Sequence, residues 1–188
     1  MNQGKNVSGV AQTKIELPDN QQERLKTIGW IIGFVDGEGS FSVSIFQNKK
    51  ARMKFGWQVF PEFVVAQGEK SLYVLEDIQR LFGCGRIYKS GYKDTDNHKE
   101  PLHRYCVRSV EDLSNVILPF FRKKPSRSYK LKEFEKFEQI LGMIKRKEHL
   151  TEKGLRNIAE IVQTMNHKKA SRFLESSETI RRDPKYFG

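Results

Sequence analysis

The sequence predicts an α+β domain in which helices alternate with antiparallel β-hairpins. Three observations predict it. Apolar residues at helical spacing follow a cap signal at Asn20. The run Ser40-Phe-Ser-Val-Ser-Ile45 alternates with period two. Strand-like and helix-like stretches then succeed one another in the order helix, strand, strand, helix, strand, strand, helices.

Residues 1–19 hold few apolar side chains and read as a flexible arm. Pro18-Asp19-Asn20 opens the first helix, with Glu23 at capping-box spacing from Asn20. It continues through Leu25, Ile28, Trp30, Ile31, Ile32 and Phe34, and Gly37 and Gly39 should stop it. In the strand that follows, Phe41, Val43 and Ile45 form a dry face and Ser40, Ser42 and Ser44 a polar one. The connection Gln47 to Gly56 carries Lys49, Lys50, Arg52 and Lys54 and no acid. Trp57, Val59, Phe63 and Val65 mark a second strand ending near Gln67, in which Pro61 implies an edge or a bulge. Residues 69–82 read as a helix with the stripe Leu72, Leu75, Ile78 and Leu81/Phe82, ended by Gly83. Residues 85–90 and 102–109 read as two further strands. Helices are expected over 110–121, where Pro119 disturbs the end, over 126–149 and over 151–166. One domain thus spans 20–167, and 168–188 form a C-terminal tail.

Leu, Ile, Val and Phe make up about 27% of the 188 residues, too much for a disordered chain. The longest apolar run, Ile28 to Val35, is far short of a membrane span, and the N-terminus shows no secretory signal, so no membrane partner is expected. Cys84 and Cys106 cannot form a disulfide framework and are expected reduced inside a cell; with His98 and His103 they lack zinc-ligand spacing. The net charge is +11, and +9 of it falls after residue 121. Such a surplus points to a polyanionic partner, nucleic acid first.

The segment Ile28 to Phe41, IGWIIGFVDGEGSF, is the least generic part of the chain. Gly29 and Gly33 share one helix face, where another backbone can approach closely. Asp36 and Glu38 sit at the helix end, where the macrodipole disfavours negative charge. A cation or a function overriding stability is the physical reason for such a placement.

Residues 31–39, IIGFVDGEG, resemble the LAGLIDADG motif of the homing endonucleases position by position. The serine-alternating strand, the "PEFVVAQ" strand end, the "LEDIQRLFG" helix, the "GRIYK" strand and Leu118 to Lys124 also stand where that family has them. The resemblance covers about residues 24–165 and, with one copy of the motif, is closest to the single-motif type. It implies an αββαββα fold with a saddle-shaped antiparallel sheet, here with extra C-terminal helices.

Carried over, Glu38 is the metal-binding acid, although the family more often has Asp there, and Gly37 offers its carbonyl to the same metal. Gln67 orders the attacking water, and Lys124 is the basic residue near the scissile phosphate. Gly29, Ile32, Gly33 and Asp36 belong to the face that pairs two motif helices; Ile32 departs from the usual small Ala. The implied cofactor is Mg²⁺, a hard cation suited to oxygen ligands, with Ca²⁺ supporting binding without cleavage. One carboxylate is a poor metal site, so a single motif implies a homodimer, and a homodimer implies a pseudo-palindromic target.

The DNA-reading surface is expected on the polar strand face. Ser40, Ser42, Ser44, Phe46, Asn48 and Gln58 lie there by alternation, joined by Lys49, Lys50, Arg52 and Lys54. Arg86, Tyr88, Ser90, Arg104 and Arg108 are the candidates from the second hairpin. The resemblance therefore implies an intron-encoded, site-specific homing endonuclease that makes a double-strand break in long double-stranded DNA. The alternatives are an RNA maturase with group I intron RNA as partner, and a catalytically inactive DNA-binding relative. A bacterial or archaeal cytoplasm, a chloroplast and a mitochondrion all fit.

Overall fold

The structure is a computed structural model that describes residues 20–48, 56–89, 101–123 and 128–165. The expected arm and tail, Lys49, Lys50, Arg52, Lys54, Ser90 and Lys124 lie outside the described residues.

Helix α1 (Gln21–Glu38) is capped by Asn20, whose side chain accepts from the Gln22 N–H at 2.9 Å. It runs through Gly37 and stops at Glu38, so Gly39 alone ends it. Gly39 is extended (φ −87°, ψ 161°) and its N–H reaches the Val35 carbonyl. A Cβ there would lie 2.6 Å from Val35 Cγ1 and 2.8 Å from the Val35 oxygen. The passage from helix to strand is thus too tight for any side chain.

Four strands follow: β1 (Gly39–Gln47), β2 (Trp57–Gly68), β3 (Arg86–Lys89) and β4 (Leu102–Val107). They form one antiparallel sheet in the order β1-β2-β4-β3. Gly39 pairs with Val65, Val43 with Pro61, Gln67 with His103 and Tyr88 with Arg104. β2 pairs with β1 without interruption, so there is no bulge at Pro61, but at that position the strand is locally an edge, as expected. Its pairing with β4 starts at Phe63, which leaves Pro61 a strand neighbour on one side only. A residue without an N–H is tolerated there.

One face of the sheet carries the buried Phe41, Val43, Phe63, Val65, Tyr105 and Val107. The helices pack on it. Phe41 meets the rings of Phe63, Phe121, Phe134 and Phe137 at 5.1–5.5 Å. Helix α2 (Leu72–Phe82) buries Val74, Leu75, Ile78 and Phe82, and Gly83 ends it in the left-handed region (φ +63°). Residues 110–123 stay helical throughout, as α3 (Val110–Asp112), a π-helical stretch (Leu113–Ile117) and α4 (Leu118–Lys123). Pro119 therefore does not end the helix; the wider π turn just before it accommodates the missing N–H and the ring.

The long helix expected over 126–149 is α5 (Lys130–Lys145). Lys147 adopts a left-handed conformation (φ 61°), and a 3-10 turn at Glu148–Leu150 leads to α6 (Glu152–Gln163). Thr151 caps α6, accepting from the Gly154 N–H at 3.1 Å. Among the described helices none is long and apolar enough to cross a membrane. The opposite sheet face presents Ser44, Phe46, Arg86 and Tyr88 to solvent.

Candidate functional site

Helix α1 buries only Ile31 and Val35. At 100° per residue, Gly29, Gly33 and Gly37 lie on the opposite side. All three are exposed, and a Cβ at any of them would meet nothing within 4 Å. Leu25 (51% exposed) and Trp30 (44%) flank this glycine stripe, and Trp30 stacks on Phe34 at 5.6 Å. Half-buried Ile32 and Asp36 border it on the other flank. A helix that exposes glycine and large apolar groups on the face turned away from its own core is built to be covered.

Glu38, the exposed last residue of α1, follows Gly37 at the end of the helix. The last turn carries no basic residue. The Lys130 ammonium, brought in by α5, donates to the Gly39 carbonyl beside it. Gly37 belongs to the last four residues, whose carbonyls a helix leaves without intrahelical donors. The Glu38 carboxylate and the Gly37 carbonyl are hard oxygen donors of the type that suits Mg²⁺. Among the described residues no group of three or more His, Cys, Asp or Glu could hold a metal ion.

Gln67 stands two residues beyond the Gly39–Val65 pair, at the same end of the sheet as Glu38. It is half-buried and faces His103 across the β2–β4 ladder. His103 Nε2 lies 2.8 Å from Glu69 Oε2, with Lys89 Nζ 3.9 Å from the same oxygen. The hydrogen bond to His103 holds the Glu69 carboxyl below the usual glutamate range, against a smaller opposing effect of desolvation. Fold and register bring Glu38, Gly37 and Gln67 to one corner; Lys124 follows α4 outside the described residues.

The second cluster is the open sheet face. By register, Ser42 stands opposite Glu62, Ser44 opposite Phe60 and Phe46 opposite Gln58. Asn48 Nδ2 donates to Gln58 Oε1 at 2.7 Å, which orients both amides. Arg104 and Arg108 converge on Glu62 (3.3 Å and 2.5 Å). The Cys106 thiol between them is buried and pushed up to about 11, chiefly by desolvation. It stays protonated at neutral pH and is no nucleophile.

Sequence reasoning missed Glu62, Phe60 and Lys130. The alternation that places Gln58 on the open face also places Phe60 and Glu62 there, so that signal was present. Lys130 had none, because its acceptor lies 91 residues away.

Comparison with known proteins agrees with this geometry. The profile of the LAGLIDADG endonuclease family matches residues 31–141. A probable intron-encoded endonuclease 2 of Neurospora crassa is 31% identical over 136 residues, 72% of this chain and 26% of that protein. The homing endonuclease I-ApeII of Aeropyrum pernix is 32% identical over 114 residues, 60% of this chain and 61% of that one. The chain spans about a quarter of the length of the Neurospora relative. Among solved structures, the homing endonuclease I-TnaI superposes with a TM-score of 0.70 at 38% identity, covering 82% of this chain and 97% of that chain. I-SmaMI bound to an uncleaved DNA target in the presence of calcium ions gives 0.69 at 35% identity, covering 79% and 47%. With the motif on α1, the four-stranded antiparallel sheet and these matches in agreement, the chain belongs to the LAGLIDADG endonuclease family.

Proposed function

We propose that this chain is a site-specific DNA endonuclease of the homing type, acting as a homodimer with Mg²⁺ on a long pseudo-palindromic duplex. The observation that carries the reading is the uncovered glycine face of α1, a helix whose last residue is Glu38, next to an open sheet bearing arginines. A second motif helix laid on Gly29, Gly33 and Gly37 brings a second Glu38 to the same axis. That addition completes a metal site which one chain has only in part.

In this reading Glu38 and the Gly37 carbonyl hold the cation. When bound, Mg²⁺ supplies Lewis-acid stabilisation of the charge that develops on the phosphate. Gln67 uses its amide to orient the attacking water, and Lys124 offsets negative charge at the scissile phosphate. Ser40, Ser42, Ser44, Phe46, Gln58, Arg86, Tyr88 and Arg104 form a two-hairpin surface wide enough for the major groove. Lys49, Lys50, Arg52, Lys54 and Ser90, outside the described residues, are assigned to contacts with the DNA backbone.

The test is selection of cleaved molecules from a pool of randomised duplexes with Mg²⁺ and the full chain. A recovered sequence with two-fold symmetry, cut on both strands and lost with Glu38→Gln, is the expected result. No recovered sequence, or cutting that survives Glu38→Gln, overturns the reading.

A further inference from the structure

Glu62 is a carboxylate in the middle of the open sheet face, yet only 9% exposed. A charge placed there persists only with partners. It has two. Arg108 gives Nε to Oε1 at 2.5 Å, and Arg104 gives Nη2 to Oε2 at 3.3 Å. The Arg108 guanidinium also lies over the Tyr88 ring at 4.8 Å and the Phe60 ring at 5.6 Å. Tethered at Nε and flanked by two rings, this side chain has lost most of its rotamer freedom before any ligand arrives.

The tether decides what Arg108 offers. Nε is taken, and among the described residues none engages the Nη1–Nη2 end of the fork. Two parallel donors therefore point away from Glu62. A phosphate approaching them finds the positive charge partly offset by Glu62 and gains less than at a free arginine. A base edge carries no formal charge and loses little by that offset. Guanine presents two adjacent acceptors, N7 and O6, in the major groove, which match two parallel donors. Resting on the DNA-endonuclease reading above, we propose that Glu62 is a positioning residue that holds Arg108 end-on as a reader of guanine in the major groove. Arg104 completes the neutralisation of Glu62, so the trio is left with one net positive charge.

The test is selection of bound duplexes from a randomised DNA pool in Ca²⁺, using the full chain. The proteins compared are wild type, Glu62→Gln, Arg108→Gln and the double variant. Wild type is expected to enrich a sequence with a strongly preferred guanine that Arg108→Gln loses. Glu62→Gln should weaken the preference at that same position by about tenfold or more, the scale of one bidentate arginine–guanine pair. Its binding to non-specific duplex should be equal or tighter, because a negative charge has gone. The double variant should be no worse at that position than Arg108→Gln alone, since both act on one contact. Should Glu62→Gln not fold, Glu62→Asp keeps the charge, shortens the tether by one carbon and should weaken the same guanine. A guanine preference unchanged in the Glu62 variants overturns the inference. So does an affinity loss equal across all sequences, which marks a purely structural role. In both cases the DNA reading stands. A wild-type chain that enriches no sequence overturns that reading and the inference with it.

Discussion

The Lys130 ammonium donates to the Gly39 carbonyl, joining the first turn of α5 to the point where α1 becomes β1. Helix α1 ends with Asp36 and Glu38 and no basic residue in its last turn. Its macrodipole and its side chains are therefore negative at the same end. Lys130 supplies the compensating cation from a helix that starts 91 residues later.

Lys130→Met keeps an unbranched side chain only one atom shorter and removes the charge. It should lower stability by about 1 kcal/mol, the scale of a charge at a helix end or a charge-assisted hydrogen bond. The check is urea unfolding: the midpoint falls while the slope stays constant. An unchanged midpoint places Lys130 in solvent and removes it from the account.

Gly33→Leu separates folding from assembly. Among the described residues nothing beyond the helix's own backbone lies within 4 Å of a Cβ at position 33, and the helix is freed of a residue that costs roughly 1 kcal/mol relative to Ala. The isolated chain should fold with unchanged or slightly higher stability. Its assembly should fail, because a leucine in the stripe holds two α1 helices apart. Light scattering should show dimers for wild type and monomers or precipitate for the variant. A monomeric, cleavage-competent wild type, or a variant that still dimerises, sinks the pairing through this face.

The parts legible in the sequence are those fixed by local chemistry. The Ser/Phe alternation from Ser40 to Ile45 is the register of β1, and Gly83 ends α2 because only glycine adopts its left-handed φ freely. Glu38 and Gln67 were visible through their motif positions, and register brings them to one corner. The end of α5 was not legible: its pattern continues through Arg146 and Lys147 with neither Gly nor Pro, and a lysine takes the left-handed conformation. Glu62 escaped for a different reason. Its burial depends on arginines 42 and 46 residues further on, a pairing set by the register of β2 and β4.

Glu38→Gln should reduce cleavage by at least a hundredfold while DNA affinity in Ca²⁺ changes little. The substitution keeps shape and removes the charge to which the proposal assigns the cation. Wild-type protein with Ca²⁺ in place of Mg²⁺ should behave in the same way, bound but uncut. Gel-shift and cleavage assays on one duplex give both readouts. Cutting at the wild-type rate in Mg²⁺ by the variant assigns the metal to other residues. If the protein also assists splicing of its host intron, that activity should survive Glu38→Gln, since it draws only on the basic surface.

The pair His103–Glu69 ties the ends of β2 and β4 beside Gln67, and it should give stability a carboxylate signature in acid. Glu69 is held below the ordinary glutamate range, mainly by its hydrogen bond to His103 and further by the charges of His103 and Lys89. A lowered folded-state value means that the native chain binds fewer protons than the unfolded one. The contribution is therefore fully present above the unfolded value, near 4.5, and is lost as pH falls through the lower folded value. Glu69→Gln removes the titration. Wild type should be more stable than the variant at pH 6–7, and the difference should shrink and vanish as pH falls from the unfolded value through the lower folded one. Because Gln67 faces His103 across the ladder, the variant should also cleave more slowly at neutral pH, with binding affinity retained. A stability difference that persists undiminished into acid, or a variant with full cleavage activity, rules out this pair as the fastening of the corner proposed for catalysis.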